Sequence, residues 1–222
     1  MRNLSIWFKW LTNNRFYSLF IFLFLFILLP PFLIHLPYLS FIIYIILSLI
    51  VLNCVVILFE GRGKSEYGVI ALLISLVFIW LSLAQDWQNT FLQVIRMVVL
   101  MLLFKFTLFR MIKEILWIKQ VTAKVIFSAI GAYLLLGIIG TFLFEIVELM
   151  YPNSFTKSEV FTGFYGEIYF SFVTISTLGY GDITPLTPQG QSVAIIMAVA
   201  GQLFIAILMA MLVGKFLADK QD

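Results

Sequence analysis

Near the C-terminal third the chain reads Thr174-Ile175-Ser176-Thr177-Leu178-Gly179-Tyr180-Gly181-Asp182. In an ordinary strand, successive carbonyls point to opposite sides. Aiming consecutive carbonyls along one line requires dihedrals that alternate between the right- and left-handed regions, and left-handed positions are cheap for glycine and costly for most other residues. Glycine occupies alternate places here, at 179 and 181, and Leu178 and Tyr180 then turn their side chains away from the carbonyl row. Four copies around an axis would stack the carbonyls of Thr177, Leu178, Gly179, Tyr180 and Gly181 as rings of oxygen that replace the hydration shell of a bare cation. The Thr177 hydroxyl adds a ring at the inner end. Five extended residues span roughly 15 Å, enough for several ions in file.

Such a loop needs a scaffold, and the composition says which kind. The chain has 222 residues, of which 63% are hydrophobic and 11% charged, with a mean hydropathy of +1.09. A soluble domain of this length could not cover so much apolar surface, so the chain reads as an all-α integral membrane protein. The single Cys54 excludes an intrachain disulfide framework and a cysteine metal cluster. A spanning helix needs about 20 mostly apolar residues. Six runs meet or approach this: Phe16–Leu36, Tyr38–Phe59, Tyr67–Leu83, Phe91–Phe109, Val125–Val147 and Ser192–Leu217. The first is too long for a signal-peptide core and no small-x-small site follows it, so it reads as a retained span. Pro30 and Pro31 bend its outer end, and the turn at Leu36-Pro37 is tight.

Charges orient the set. With the N-terminus inside, Arg2, Lys9, Arg15, Arg62, Lys64, Arg110, Lys113, Lys119, Lys124, Lys215 and Lys220 fall on the cytoplasmic side. The outer segments carry one lysine, Lys157, beside Asp86, Glu148, Glu159, Glu167 and Asp182. That bias predicts both termini in the cytoplasm of a cell membrane, plasma or inner. The stretch Phe161–Ser176 is too short to cross, and it leads directly into the glycine-containing loop. It must dip in and return, as backbone of this kind is tolerated at membrane depth only inside protein or beside a water-filled path.

Thr174–Asp182 resembles the signature of the tetrameric potassium channels, whose TVGYG loops are the established case of a carbonyl filter. The resemblance covers about Val125 to Leu217. Tyr169-Phe170 matches the aromatic pair of the family's pore helix, Asp182 the acid after the filter, and Gly201 the usual place of a hinge glycine in the inner helix. Leu178 departs from the usual valine or isoleucine. Val173 stands where some members carry a buried glutamate, so the brace behind the filter must differ. The resemblance implies a homotetramer with potassium ions held at Thr177, Leu178, Gly179 and Tyr180. It also implies a filter supported by Tyr169, Thr174, Asp182 and Glu167, and a pore helix from about Phe164 to Ser176 whose C-terminal dipole favours a cation. For Glu167, a surface carboxylate at the outer mouth is the alternative.

Further along, Gly201 is read either as a hinge or as a packing notch, and Ile205, Met209 and Leu212 as an apolar constriction or as residues facing lipid and neighbouring helices. Gly131, Gly137 and Gly140 are packing notches. In the fourth run only Arg96 and Lys105 lie inside the span, and counted at every third position they share one phase. Steep voltage gating takes about 3–4 gating charges per subunit, so the four-helix unit is a degenerate sensor or a plain scaffold. The expected organisation is an N-terminal interfacial segment over 1–15, a four-helix membrane unit over 16–112, a cytoplasmic linker over 113–123, a pore unit over 124–217 and a short tail over 218–222, with no ligand-binding domain attached. The sequence reading is a potassium-selective, passively conducting channel. Its rivals are a weakly selective cation channel and a non-conducting membrane subunit of a transporter or regulator complex. No nucleophile–base pair appears and His35 stands alone, so no enzyme is expected. No cofactor and no nucleic acid are expected either, and the partners are further copies of the chain, potassium ions and membrane lipids.

Overall fold

The computed structural model describes residues 14–33, 35, 38–59, 65–84, 90–118, 120–156 and 164–219. They form seven helices: α1 (Arg15–Phe32), α2 (Leu39–Phe59), α3 (Ser65–Ala84), α4 (Thr90–Trp117), α5 (Ala123–Met150), α6 (Phe164–Ile175) and α7 (Pro188–Asp219). By length and composition, five contain stretches able to cross a membrane: Arg15–Phe32, Phe41–Phe59, Thr90–Trp117, Ala123–Met150 and Pro188–Leu217. In α3, expected as a span over Tyr67–Leu83, the apolar stretch among the described residues is shorter, Gly68–Trp80.

Helix ends follow local chemistry. α1 stops at Phe32, short of the expected Leu36, because Pro30 and Pro31 sit in its last turn and remove two backbone donors. The Leu33 N–H then closes the helix on the Pro30 carbonyl at 3.1 Å. The expected tight turn at Leu36-Pro37 lies outside the described residues. α4 does the reverse and runs past the expected Phe109 to Trp117. Its buried face, Met97, Leu100, Phe104, Thr107, Met111 and Ile115, keeps helical spacing throughout. Residues 113–117 of the expected 113–123 linker are therefore helix, and only a short connector separates α4 from α5.

α1 to α4 pack together, with α5 against both α1 and α4. The α1–α2 contact contains a buried polar pair, the Ser18 hydroxyl donating to Asn53 Oδ1 at 2.6 Å, with Asn53 Nδ2 donating to the Leu49 carbonyl at 3.1 Å. Tyr17 and Phe20 of α1 meet Phe127 of α5 at centroid distances of 4.7 and 5.3 Å. Arg15 reaches across to Glu114 at 2.8 Å, tying the start of α1 to the last turns of α4. α6 is held between α5 and α7. There the small residues of α5 matter: a Cβ at Gly137 would strike the Phe172 ring, and one at Gly140 would strike Ser171 Oγ and Met197. Both are packing notches, as expected, whereas Gly131 meets only Met111 at an ordinary 3.5 Å. α7 is covered least, with only 11% of its apolar stretch buried inside the chain.

Candidate functional site

The backbone after α6 folds back onto the helix that precedes it. Ser176 N–H donates to the Phe172 carbonyl and Thr177 N–H to the Thr174 carbonyl, both at 3.1 Å. The Val173 carbonyl takes two further donors, Leu178 N–H at 3.1 Å and Gly179 N–H at 3.3 Å. The last carbonyls of α6, orphaned by the helix end, thus anchor the start of the loop. Beyond them φ is +60° at Thr177, +55° at Gly179 and +80° at Gly181. Left-handed residues alternate with Leu178 and Tyr180, the pattern that a row of aligned carbonyls demands. Among the described residues no heavy atom beyond the adjoining residues lies within 4 Å of a Cβ built at Gly179 or Gly181, so the dihedral rather than crowding calls for glycine there. Thr177 is a β-branched residue in a region that costs about 1–2 kcal/mol, and its N–H bond to Thr174 holds it there. Sequence reasoning assigned the left-handed places to the glycines alone and missed Thr177, because its conformation is imposed by that backbone bond.

At the other end of the loop the Tyr169 hydroxyl on α6 donates to Asp182 Oδ2 at 2.5 Å, and the Ile183 N–H donates to Asp182 Oδ1 at 3.0 Å. The hydroxyl holds the Asp182 carboxyl below its ordinary value, and the bond to Asp182 pushes the Tyr169 phenol up to about 12. The site residues named from the sequence separate at this point. Tyr169 and Asp182 meet. Thr174 acts through its carbonyl. Tyr180 is exposed and makes no hydrogen bond within the chain among the described residues. Glu167 is half-buried and makes no hydrogen bond to the loop among the described residues. Its Oε2 is buried without a hydrogen-bond partner, and burial pushes its carboxyl up to about 7, with nearby Glu148 adding to the shift.

A second clasp follows the loop. Glu148, near the end of α5, accepts the N–H groups of Asn153 at 3.0 Å and Ser154 at 2.8 Å. The 154–156 strip then pairs with 184–186: Thr156 N–H to the Thr184 carbonyl at 2.9 Å, Thr184 N–H to Thr156 Oγ1 at 2.7 Å, and Leu186 N–H to the Ser154 carbonyl at 2.7 Å. Phe155 packs beneath, between Phe144 and Phe170 at 5.5 and 5.3 Å. Among the described residues no cluster of His, Cys, Asp and Glu is arranged to hold a metal.

Residues 128–218, from α5 through the loop to the end of α7, match the family model described as "Ion channel". The match covers less than half of the chain, and over this segment the chain is similar to that family. Two curated proteins are similar to it: YugO, a candidate potassium channel protein of Bacillus subtilis (strain 168), 39% identical over 61 residues, and a voltage-gated potassium channel of Aeropyrum pernix, 37% identical over 71 residues. The aligned parts are 28% and 32% of this chain but only 17% and 22% of those proteins, so the chain spans about a fifth of the length of each. No solved structure matches significantly. Over these residues the similarity is to ion channels.

Within the ion-channel segment, Gly201 is buried in an unbroken α7, and a Cβ there would run into the carbonyl and Cα of Ile175. These contacts fit the packing reading of this glycine. Ile205 and Met209 lie exposed on the single chain, at 43% and 55%, so neither is packed within it. Upstream of the segment, Arg96 is half-buried and lines a cavity with Glu145, whereas Lys105 is exposed. Read three residues at a time, the two appeared to share a phase. On an α-helix nine residues at about 100° each place them on opposite faces, so they do not form one stripe. Lys215, counted from the sequence only as a topology marker, donates to the carbonyls of Ile115, Leu116 and Ile118 at 2.8, 2.8 and 2.6 Å.

Proposed function

We propose that the chain is one subunit of a homotetrameric, potassium-selective channel that conducts passively and is not strongly voltage-gated. The single observation that carries this is the alternation of left-handed residues at Thr177, Gly179 and Gly181. Such a backbone is otherwise costly, and it suits carbonyls turned to one side. One chain supplies one strand of carbonyls, whereas a ring around an ion needs several, hence the tetramer. The exposed apolar length of α7 is in keeping with copies of the chain packed around a central path. On this reading Thr177 to Gly181 coordinate potassium, Tyr169 and Asp182 brace the loop, and Ile205 and Met209 narrow the path below it. Gly201 seats the inner helix against α6. The excess of Lys and Arg on the loops beside the termini supports cytoplasmic termini. Weak voltage dependence follows from Arg96 and Lys105 on opposite faces of α4.

Gly179→Asp tests the assignment. An L-residue at φ +55° strains the loop, and its carboxylate adds charge to the carbonyl row. The expected result is loss of potassium flux from reconstituted liposomes with the tetramer still eluting intact. A variant that conducts potassium selectively would exclude the loop as the conduction site.

A further inference from the structure

A cavity of about 220 Å³ lies between the four-helix unit and the ion-channel segment, far larger than the roughly 30 Å³ share of one water molecule. It draws its walls from α1 to α6. Its floor is apolar and tightly buried, at Phe26, Ile79 and Leu100. Phe164 of α6 stands between Phe26 and Phe142, at centroid distances of 6.1 and 5.9 Å, and makes an aromatic wall with them. Tyr44 and Tyr165 also line the cavity.

Two opposite charges share this space without meeting. Arg96 of α4 and Glu145 of α5 both line the cavity and act on each other through space, yet no hydrogen bond or ion pair joins them. Glu145 Oε2 is buried with no hydrogen-bond partner, and so is Oε2 of Glu167, which also acts on Glu145. A buried carboxylate oxygen without a donor is costly, and a direct salt bridge would have removed the cost. Glu148 carries the other nearby negative charge, but its oxygens are already taken by Asn153 and Ser154.

We propose that this cavity is a binding site for a small zwitterion carrying a primary ammonium and an anionic group. The ammonium donates to Glu145 Oε2 and the anionic group accepts from Arg96. The charges decide the class. A simple cation is repelled by Arg96 and a simple anion by Glu145, whereas a zwitterion partners both. Aromatic walls favour the ammonium end and any apolar body. Two sources present this chemistry, the phosphoethanolamine headgroup of a membrane lipid and a free apolar amino acid. Because Phe164 and Tyr165 begin α6 and its other end anchors residues 177–179, occupancy is felt at the element that holds the loop.

The test is calorimetric titration of the purified full chain in detergent with phosphoethanolamine and with L-leucine, alongside thermal unfolding in nanodiscs with and without phosphatidylethanolamine. These readouts do not depend on ion conduction. Saturable binding of phosphoethanolamine with stabilisation by the lipid identifies the lipid source, and saturable binding of L-leucine identifies the free amino acid. Binding of neither, with no lipid effect, overturns the proposal and leaves water bridging Arg96 and Glu145. Arg96→Gln and Glu145→Gln are each expected to weaken binding about tenfold or more, the usual worth of a charge-assisted bond. Should either single variant unfold, the exchange Arg96→Glu with Glu145→Arg keeps both charges and is expected to retain binding of the reversed zwitterion. Ile43→Trp, which fills the cavity from α2 and leaves both charged residues in place, is expected to abolish binding. Unchanged affinity in Ile43→Trp overturns the site.

Discussion

The ammonium of Lys215, near the end of α7, donates to the carbonyl oxygen of Ile118 just beyond the end of α4, 2.6 Å away, and also to the carbonyls of Ile115 and Leu116. A helix C-terminus leaves its last carbonyls without partners and carries partial negative charge. One lysine answers both needs and fastens the last helix of the channel segment to the last helix of the four-helix unit. Removing it in Lys215→Met leaves those carbonyls unpartnered and should cost about 1–3 kcal/mol. The check is thermal unfolding in detergent, where Lys215→Met should melt several degrees lower and Lys215→Arg should recover part of the loss. Equal melting of Lys215→Met and the unmodified chain would mean that the bonds contribute nothing.

The Tyr169–Asp182 bond sets a pH window for the loop. Asp182 is held below its ordinary 3.8, so its contribution is fully present above that value and is lost as pH falls through the lower folded value. Tyr169 is raised from 10.0 to about 12, so its contribution is full below 10 and is lost as pH rises through about 12. Between those limits the brace should be insensitive to pH. In Tyr169→Phe the Asp182 carboxyl should titrate higher, nearer its ordinary value, as read from its carbonyl carbon by NMR. An unmoved titration would show that the hydroxyl does not hold the carboxylate in solution.

Two glycines of α7 should respond in opposite directions to alanine. At Gly201 the added methyl meets the Ile175 backbone, which cannot rotate away, and overpacking of this kind costs about 1–3 kcal/mol. At Gly214 nothing among the described residues lies within 4 Å of an added Cβ, and alanine should stabilise the helix by about 1 kcal/mol. Unfolding midpoints of Gly201→Ala and Gly214→Ala check both signs. A tolerated Gly201→Ala would mean that α6 and α7 are less tightly seated than their contact requires.

Five of the apolar helices and the left-handed glycines of the loop were legible in the sequence because their signals are local. Apolar runs, Pro30-Pro31 and the alternation of Gly179 and Gly181 each act within a few residues of themselves. The structural pairing of Tyr169 with Asp182 was legible through the resemblance. What stayed hidden depends on partners distant in sequence or on backbone atoms. The Val173 carbonyl that anchors Leu178 and Gly179 is available whatever the side chain. Lys215 meets carbonyls about a hundred positions away, and Glu148 holds N–H groups that any residue type would supply. The phase of Arg96 and Lys105 was misread because a three-residue count ignores the 3.6-residue turn of the helix they occupy.

The most direct measurement is potassium against sodium flux through the purified full chain in liposomes, without applied voltage and with barium as a blocking control. Potassium flux that barium blocks, with sodium excluded, is the result that the proposed potassium-channel function predicts. Equal passage of potassium and sodium, or no passage of either at any applied voltage, would contradict it.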